Sequence, residues 1–262
     1  MPDYRIEAMP EQLPAALVEK LQKVETATIG HSQHWGFMDR GIQPLLRGKR
    51  IAAAAVTLAI PGQDSTLLHH ALGLLRPGDI LVVDRLGDDK HACWGGGVTV
   101  AAKAAGAVGG IVDGPCTDLA EIEDSDFPMW CRGMSPITTR LYNLGGTLNL
   151  PISCGNVPVK AGDVILADES GVLVLPRAEA EAIADAAIAR QERGEKTQAR
   201  VKAGEKLGDI SGATKMVLDA LAQQGRPAGA RAPMPSRQRL LPDPTRAFDW
   251  TNPCLRPSSS ST

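Results

Sequence analysis

An α/β fold built on a parallel strand pair is predicted by three features of this 262-residue chain. Residues 79–84 and 109–113 are short β-branched runs, and residues 98–105 between them are helical in composition, with Gly106 as a natural stop. In such a strand–helix–strand unit the loops leaving the carboxyl ends lie side by side, so residues 85–97 and 114–121 should face one another across a crevice. The third feature is IAAAAVTLAI at 51–60, a near-continuous apolar run ending at Pro61 and Gly62, as expected of a strand covered on both faces.

The remaining elements follow in order. Residues 13–24 read as a helix, and 26–40 as a polar segment holding His31 and His34, which lack a third ligand nearby. Asp64 or Ser65 should cap a helix whose apolar positions Leu68, Ala71, Leu72 and Leu75 share one face; His69 and His70 read as packing or surface residues. Residues 128–131 form a short strand, and 134–150 look like a loop around Gly145 and Gly146. From Val157 the pattern is β, with turns at 161–163 and 169–171. After Pro176 helix formers dominate to about Ala222, with Ile183, Ala184, Ala187 and Ile188 on one face. The segment from Arg226 holds seven of the nineteen prolines and Ser258 to Ser261, and reads as extended or disordered. The expected division is an N-terminal helical segment (1–50), an α/β domain with a C-terminal helix (51–222) and a tail (223–262).

Composition narrows the function. A net charge of −2, 43% hydrophobic residues and only 3% aromatics describe an ordinary globular chain and exclude a basic, aromatic nucleic-acid surface. MPDYRIEAMPEQLP puts charge and proline where a signal peptide needs an apolar core, and no run approaches the roughly 20 apolar residues of a membrane span. A cytoplasmic protein with no membrane and no nucleic-acid partner is expected. Five cysteines without CxxC spacing fit reduced thiols.

The candidate chemistry lies in the crevice. Gly95, Gly96 and Gly97 open a helix with no side chains in the way, so the backbone N–H groups there and at Val98 are free to meet a carboxylate or phosphate. Asp118 and Glu121 stand three residues apart, on one side of a helical turn, and suit a hard divalent cation. The same pair has the form of a capping box, and a triple glycine also marks a tight turn, so both readings stay open. Cys116 lies in the same loop, as an incidental thiol or a participant.

GDILVVD, GD followed by ACWGG, GGIVDGP, a D-x-x-E turn, FPMWCRG and AGDVILADESGVLVLP, in that order over roughly residues 13–213, resemble the RraA-like family. That family includes the class II 4-hydroxy-4-methyl-2-oxoglutarate/4-carboxy-4-hydroxy-2-oxoadipate aldolases and the ribonuclease E regulator RraA. Its spacing of a glycine, twenty residues, an Arg-Asp pair, two residues and an acid falls on Gly96, Thr117-Asp118 and Glu121 without a gap. The resemblance implies a β/β/α swivelling-type domain, a homotrimer or homohexamer, and a site at a subunit boundary. It also implies a divalent metal, magnesium or manganese, held by Asp118 and waters, with a small-molecule 2-oxo acid cleaved through an enolate.

Thr117 departs from the family by replacing the arginine that holds the pyruvate carboxylate. A threonine hydroxyl does not replace a charge-assisted contact of roughly 1.5–3 kcal/mol. Gly97 also stands where many of the aldolases have an acid. Arg85, at a position where relatives commonly have glycine, could take over the carboxylate or pair with Asp88 or Asp89 to order its loop. Alternatively, Thr117 signals a substrate with no carboxylate at that end, and the acid or base would then come from bound water, Asp88, Lys90 or His91. Two functions follow: an aldolase- or decarboxylase-type lyase using Asp118, Thr117 and Arg85, or a non-catalytic regulator that binds a protein partner.

Overall fold

Residues 1–224 are described by the structure, a computed structural model; the proline-rich tail expected from Arg226 lies outside the described residues. The chain runs β1 (Asp3–Ile6), α1 (Ala15–Leu21), α2 (Thr26–Ile29), β2 (Gln43–Pro44), β3 (Ile51–Ala59), α3 (Thr66–Leu72), β4 (Ile80–Asp84), α4 (Gly96–Ala104) and β5 (Gly109–Val112). It continues with α5 (Leu119–Asp124), β6 (Met129–Cys131), β7 (Gly145–Leu148), β8 (Ile152–Cys154), β9 (Val157–Val159), β10 (Val164–Asp168) and β11 (Gly171–Leu175). Helices α6 (Ala180–Lys202), α7 (Leu207–Ser211) and α8 (Ala213–Gln223) complete it. The chain divides after Ala199 into two units; the first holds every strand. Among the described residues no helix is long and apolar enough to cross a membrane.

The sheet order is β1-β7-β3-β4-β5-β6-β2, with β10 added antiparallel to β3 and β11 to β10. Strands β3 to β6 are parallel, Ala55 lying opposite Ile80, Ile80 opposite Gly109, and Gly110 opposite Met129. All nine residues of β3 are buried because both faces are covered, as its unbroken apolar run requires. On one face Val56, Leu58, Leu81 and Val83 pack against Leu68 and Ala71 of α3, Ala102 of α4 and Ile122 of α5. On the other, Ala53, Ala55, Ile80 and Ile111 pack against the β8–β9 hairpin and Ile165 and Val174 of the β10–β11 pair. The far side of that pair receives Leu21, Ile29 and Ala184 from α1, α2 and α6. The layers are therefore sheet, second sheet and helices, the β/β/α arrangement.

Three local expectations are corrected. The polar segment 26–40 begins with a helical turn, α2, because Asp168 at the end of β10 accepts both the N–H (2.8 Å) and the hydroxyl (2.7 Å) of Thr26. Residues 134–150 contain β7, which joins β1 to β3. Its glycines serve close backbone approach rather than a free loop: a methyl at Gly145 (φ 105°) would overlap the Asp3 carbonyl, and one at Gly146 would lie 2.6 Å from the Ala59 oxygen. Ser65 and Asp64 do not cap α3 in the expected way either. Ser65 precedes the helix without a side-chain cap bond. Asp64, 1% exposed, accepts N–H groups from Thr66 (2.9 Å), Tyr142 (2.9 Å) and Leu144 (2.8 Å). It thus ties residues 140–144 to the start of α3.

Burial alone would raise the Asp64 carboxyl, but its hydrogen bonds from Thr66, Leu144 and Tyr142 outweigh that and hold it below the ordinary value. A depressed carboxyl contributes stability above its unfolded value, about 3.9, and loses it as pH falls through the lower folded value. The gap in urea-unfolding stability between this chain and Asp64→Asn should therefore be widest near neutral pH and narrow below about pH 4. Gly145→Ala should lower stability by about 1–3 kcal/mol, because it places a side chain in strained backbone and pushes β1 off β7; the same denaturation measurement checks it.

Candidate functional site

The loop after β4 is fixed by Trp94. Its ring is fully buried and stacked on Phe127 with centroids 6.0 Å apart, and its Nε1–H donates to Thr99 Oγ1 at 3.0 Å. Thr99 in turn donates to the Gly95 carbonyl at 2.9 Å, which sets the first turn of α4. The Trp94 carbonyl accepts the Thr117 N–H at 2.9 Å, so the two loops expected to face each other are joined side by side. The hollow beside them is lined as well by residues 138–141.

Asp118 is in the left-handed conformation (φ 55°, ψ 47°), and its side chain makes no cap bond to α5. Its carboxylate turns the other way: Oδ2 accepts the Gly96 N–H at 3.1 Å, and Thr117 Oγ1 donates to Oδ1 at 3.2 Å. A side chain at Gly95 would overlap Asp118 Oδ2, and one at Gly96 would overlap the Glu121 carboxylate. The glycines are thus needed for close approach by two carboxylates, and the capping-box alternative is not what forms at Asp118. Thr99 makes the first intrahelical bond of α4, to the Gly95 carbonyl at 2.9 Å, leaving the N–H groups of Gly97 and Val98 without an intrahelical acceptor.

A hollow of about 280 Å³ collects these groups. Its walls include Gly95, Gly97, Val98, Thr117 and Asp118 together with His69 and residues 138–141. Glu121 lies over Gly96 beside the hollow rather than in its lining. Among the described residues no group of three or more His, Cys, Asp or Glu forms a ready-made metal site, so any cation held by Asp118 and Glu121 would keep most of its coordination as water.

Two cavity residues escaped the sequence. His69, read as packing or surface, is exposed on α3 and lines the hollow. Arg140 brings a guanidinium with no ion-pair partner among the described residues. Its neighbourhood is set by long-range backbone pairing, Asp64 with Arg140 and Ala92 with Thr138, for which no local signal exists.

Arg85 takes neither place expected of it. It is 0% exposed, outside the hollow, and Nη2 donates to the carbonyls of Gly62 and, at 3.4 Å, His91. Among the described residues Nε and Nη1 have no partner, and neither Asp88 nor Asp89 pairs with it. Asp88 instead receives the His91 imidazole at 2.8 Å; burial opposes its ionisation, but the bonds from His91 and Lys90 outweigh that and lower its carboxyl. Asp88, Lys90 and His91 all lie outside the lining. The Cys131 contact and burial push the Cys116 thiol well up, so it stays protonated.

The RraA-like family model, described as Aldolase/RraA, matches residues 23–174. A relative from Halalkalibacterium halodurans, provisionally named a 4-hydroxy-4-methyl-2-oxoglutarate aldolase, is 33% identical over 150 residues, covering 57% of this chain and 71% of its own. Among solved structures, Streptomyces coelicolor RraAS2, described as an unusual member of the RNase ES inhibitor RraA protein family, superposes with a TM-score of 0.65. It is 28% identical, with 72% of this chain and 98% of that chain covered. The RNA-processing inhibitor RraA from Thermus thermophilis matches at a TM-score of 0.50 and 26% identity, covering 53% of this chain and 84% of its own. The family model spans more than half of the sequence, its motifs fall on the crevice just described, and solved members of the family superpose on this fold: the chain belongs to the RraA-like family.

Proposed function

We propose that this protein is a divalent-metal-dependent carbon–carbon lyase that cleaves a 2-oxo acid or related hydroxy-keto compound. The observation that carries the reading is Asp118, held in a left-handed backbone conformation with its carboxylate facing the α4 N-terminus instead of capping its own helix. Asp118, with Glu121 beside it and water, would hold magnesium or manganese. A bound cation supplies an electron-withdrawing charge next to the substrate's keto oxygen.

The chain's own groups do the rest. The N–H groups of Gly97 and Val98, at the positive end of α4, receive the substrate's carboxylate. Thr117 offers only a hydroxyl, already donated to Asp118, so the guanidinium the aldolases keep at that position must come from elsewhere. Arg140 is suited to that part because it lines the hollow and has no ion-pair partner among the described residues. Arg85, buried behind Cys93 and Gly114, adds positive charge beneath the loop instead of touching substrate. His69, which lines the same hollow, would supply the proton that the enolate carbon takes up after cleavage. The changed charge layout supports a substrate different from that of the aldolases. Exposed Ile137, Leu141, Tyr142 and Leu144 beside the site support a homotrimer or homohexamer whose neighbouring copy covers this edge. A regulator that binds a protein partner is the second reading, favoured by the loss of the motif arginine at Thr117.

Metal-dependent release of pyruvate from oxaloacetate or 4-hydroxy-2-oxo acids, followed with coupled lactate dehydrogenase, tests the reading. Asp118→Asn should remove both turnover and the thermal shift caused by magnesium. Absence of turnover and of any magnesium shift in the unaltered chain would favour the regulator. Thr117→Arg should raise activity on oxaloacetate by up to about a hundredfold, the scale of one transition-state hydrogen-bond donor; unchanged activity would mean that the pocket is rebuilt more widely.

A further inference from the structure

The hollow at Asp118 does not end at the α4 N-terminus. A second one of about 550 Å³ lies between α3 and α4, and His69, Gly97 and Val98 line both. Its other walls are apolar: Leu72, Leu75, Ala101 and Ala105, with Gly73. Leu72 and Leu75 belong to the main core and are 8% and 7% exposed, so the floor of this groove is core surface.

Gly97 is the junction. A Cβ built there meets nothing within 4 Å, in contrast to Gly95 and Gly96, where it would strike the carboxylates. The first two glycines admit the acidic side chains, and at the third, which borders both a charged hollow and an apolar one, the space is open. The first hollow has fixed charges of both signs, Asp118 and Arg140, and the second has none. A ligand matching both is charged at one end and hydrocarbon at the other.

We infer that the substrate of this chain is a 2-oxo or hydroxy-keto acid bearing an apolar substituent. Its anionic end lies at Asp118 and the α4 N-terminus, and its alkyl or aryl group lies along the α3–α4 groove. The inference rests on the functional reading above and adds the substrate class. Small dicarboxylates of the oxaloacetate type would use the charged hollow alone and leave the groove wet, forfeiting the burial that selects among 2-oxo acids.

Calorimetric titration in magnesium with pyruvate, 2-oxobutanoate, 2-oxohexanoate and 2-oxooctanoate tests it. Each methylene that enters the groove should lower Kd roughly three- to fourfold, the equivalent of burying one CH₂. Ala101→Trp fills the groove from an exposed helix position and should flatten that dependence while pyruvate binds as before; Ala101→Leu should do so in part and serves if the tryptophan variant folds poorly. Pyruvate binding with no dependence on chain length, as when a neighbouring copy fills the groove, overturns the inference and leaves the lyase reading intact. Length dependence that survives both variants overturns it too, by putting the hydrocarbon elsewhere. Failure of every 2-oxo acid to bind removes the lyase reading itself, and the inference with it.

Discussion

Two hydrogen bonds hold the glycine loop to the acidic turn: Thr117 N–H to the Trp94 carbonyl, and Gly96 N–H to Asp118 Oδ2. Both are short-range, but they are anchored deep. Trp94 is locked between Phe127 and Thr99 with its ring out of water, so its carbonyl points one way and the residues around Asp118 must meet it. Asp118, next to that bond, has a left-handed backbone. Aspartate tolerates that conformation better than most side chains, yet a strain of order 1–3 kcal/mol is expected there and is offset by the sheet that holds both loops.

The parts of this arrangement that depend on neighbours in sequence were legible from residues alone. The central strand, the parallel pair and the α4 crossover follow from apolar runs of the right length, and Gly106 ends the helix as its type suggests, with the Ala107 N–H returning to the Ala102 carbonyl at 3.0 Å. Gly95, Gly96, Thr117 and Asp118 do meet. What escaped is whatever distant backbone decides. The wall at residues 138–141 is fastened by Asp64, whose carboxylate has three backbone partners, two of them nearly eighty positions away, and reads in sequence only as a capping residue. Strand β7 escaped because glycines that let main chains touch look the same, in a string of letters, as glycines that let them wander.

Arg85 shows the limit of reading charge as exposure. A guanidinium at the end of a strand beside two aspartates suggests a solvated ion pair, yet it lies beneath the loop with two nitrogen groups unpartnered, a costly state for a desolvated cation. Gly114 permits it, since a Cβ there would come within 2.7 Å of Arg85 Cγ. Its charge opposes the effect of burial on Cys93, whose thiol nevertheless rises to about 11. Cys93 lines the cavity, so the Arg85 charge lies behind its wall and not in it.

The seat at the start of α4 is made of peptide groups, and peptide groups do not mutate. A lineage can exchange Thr117, Arg140 or the residues of the α3–α4 groove one at a time and keep a receptor for anions throughout, provided the glycines stay small. Such a site separates holding a ligand from choosing it, and lets one scaffold wander among related acids without passing through a form that binds none.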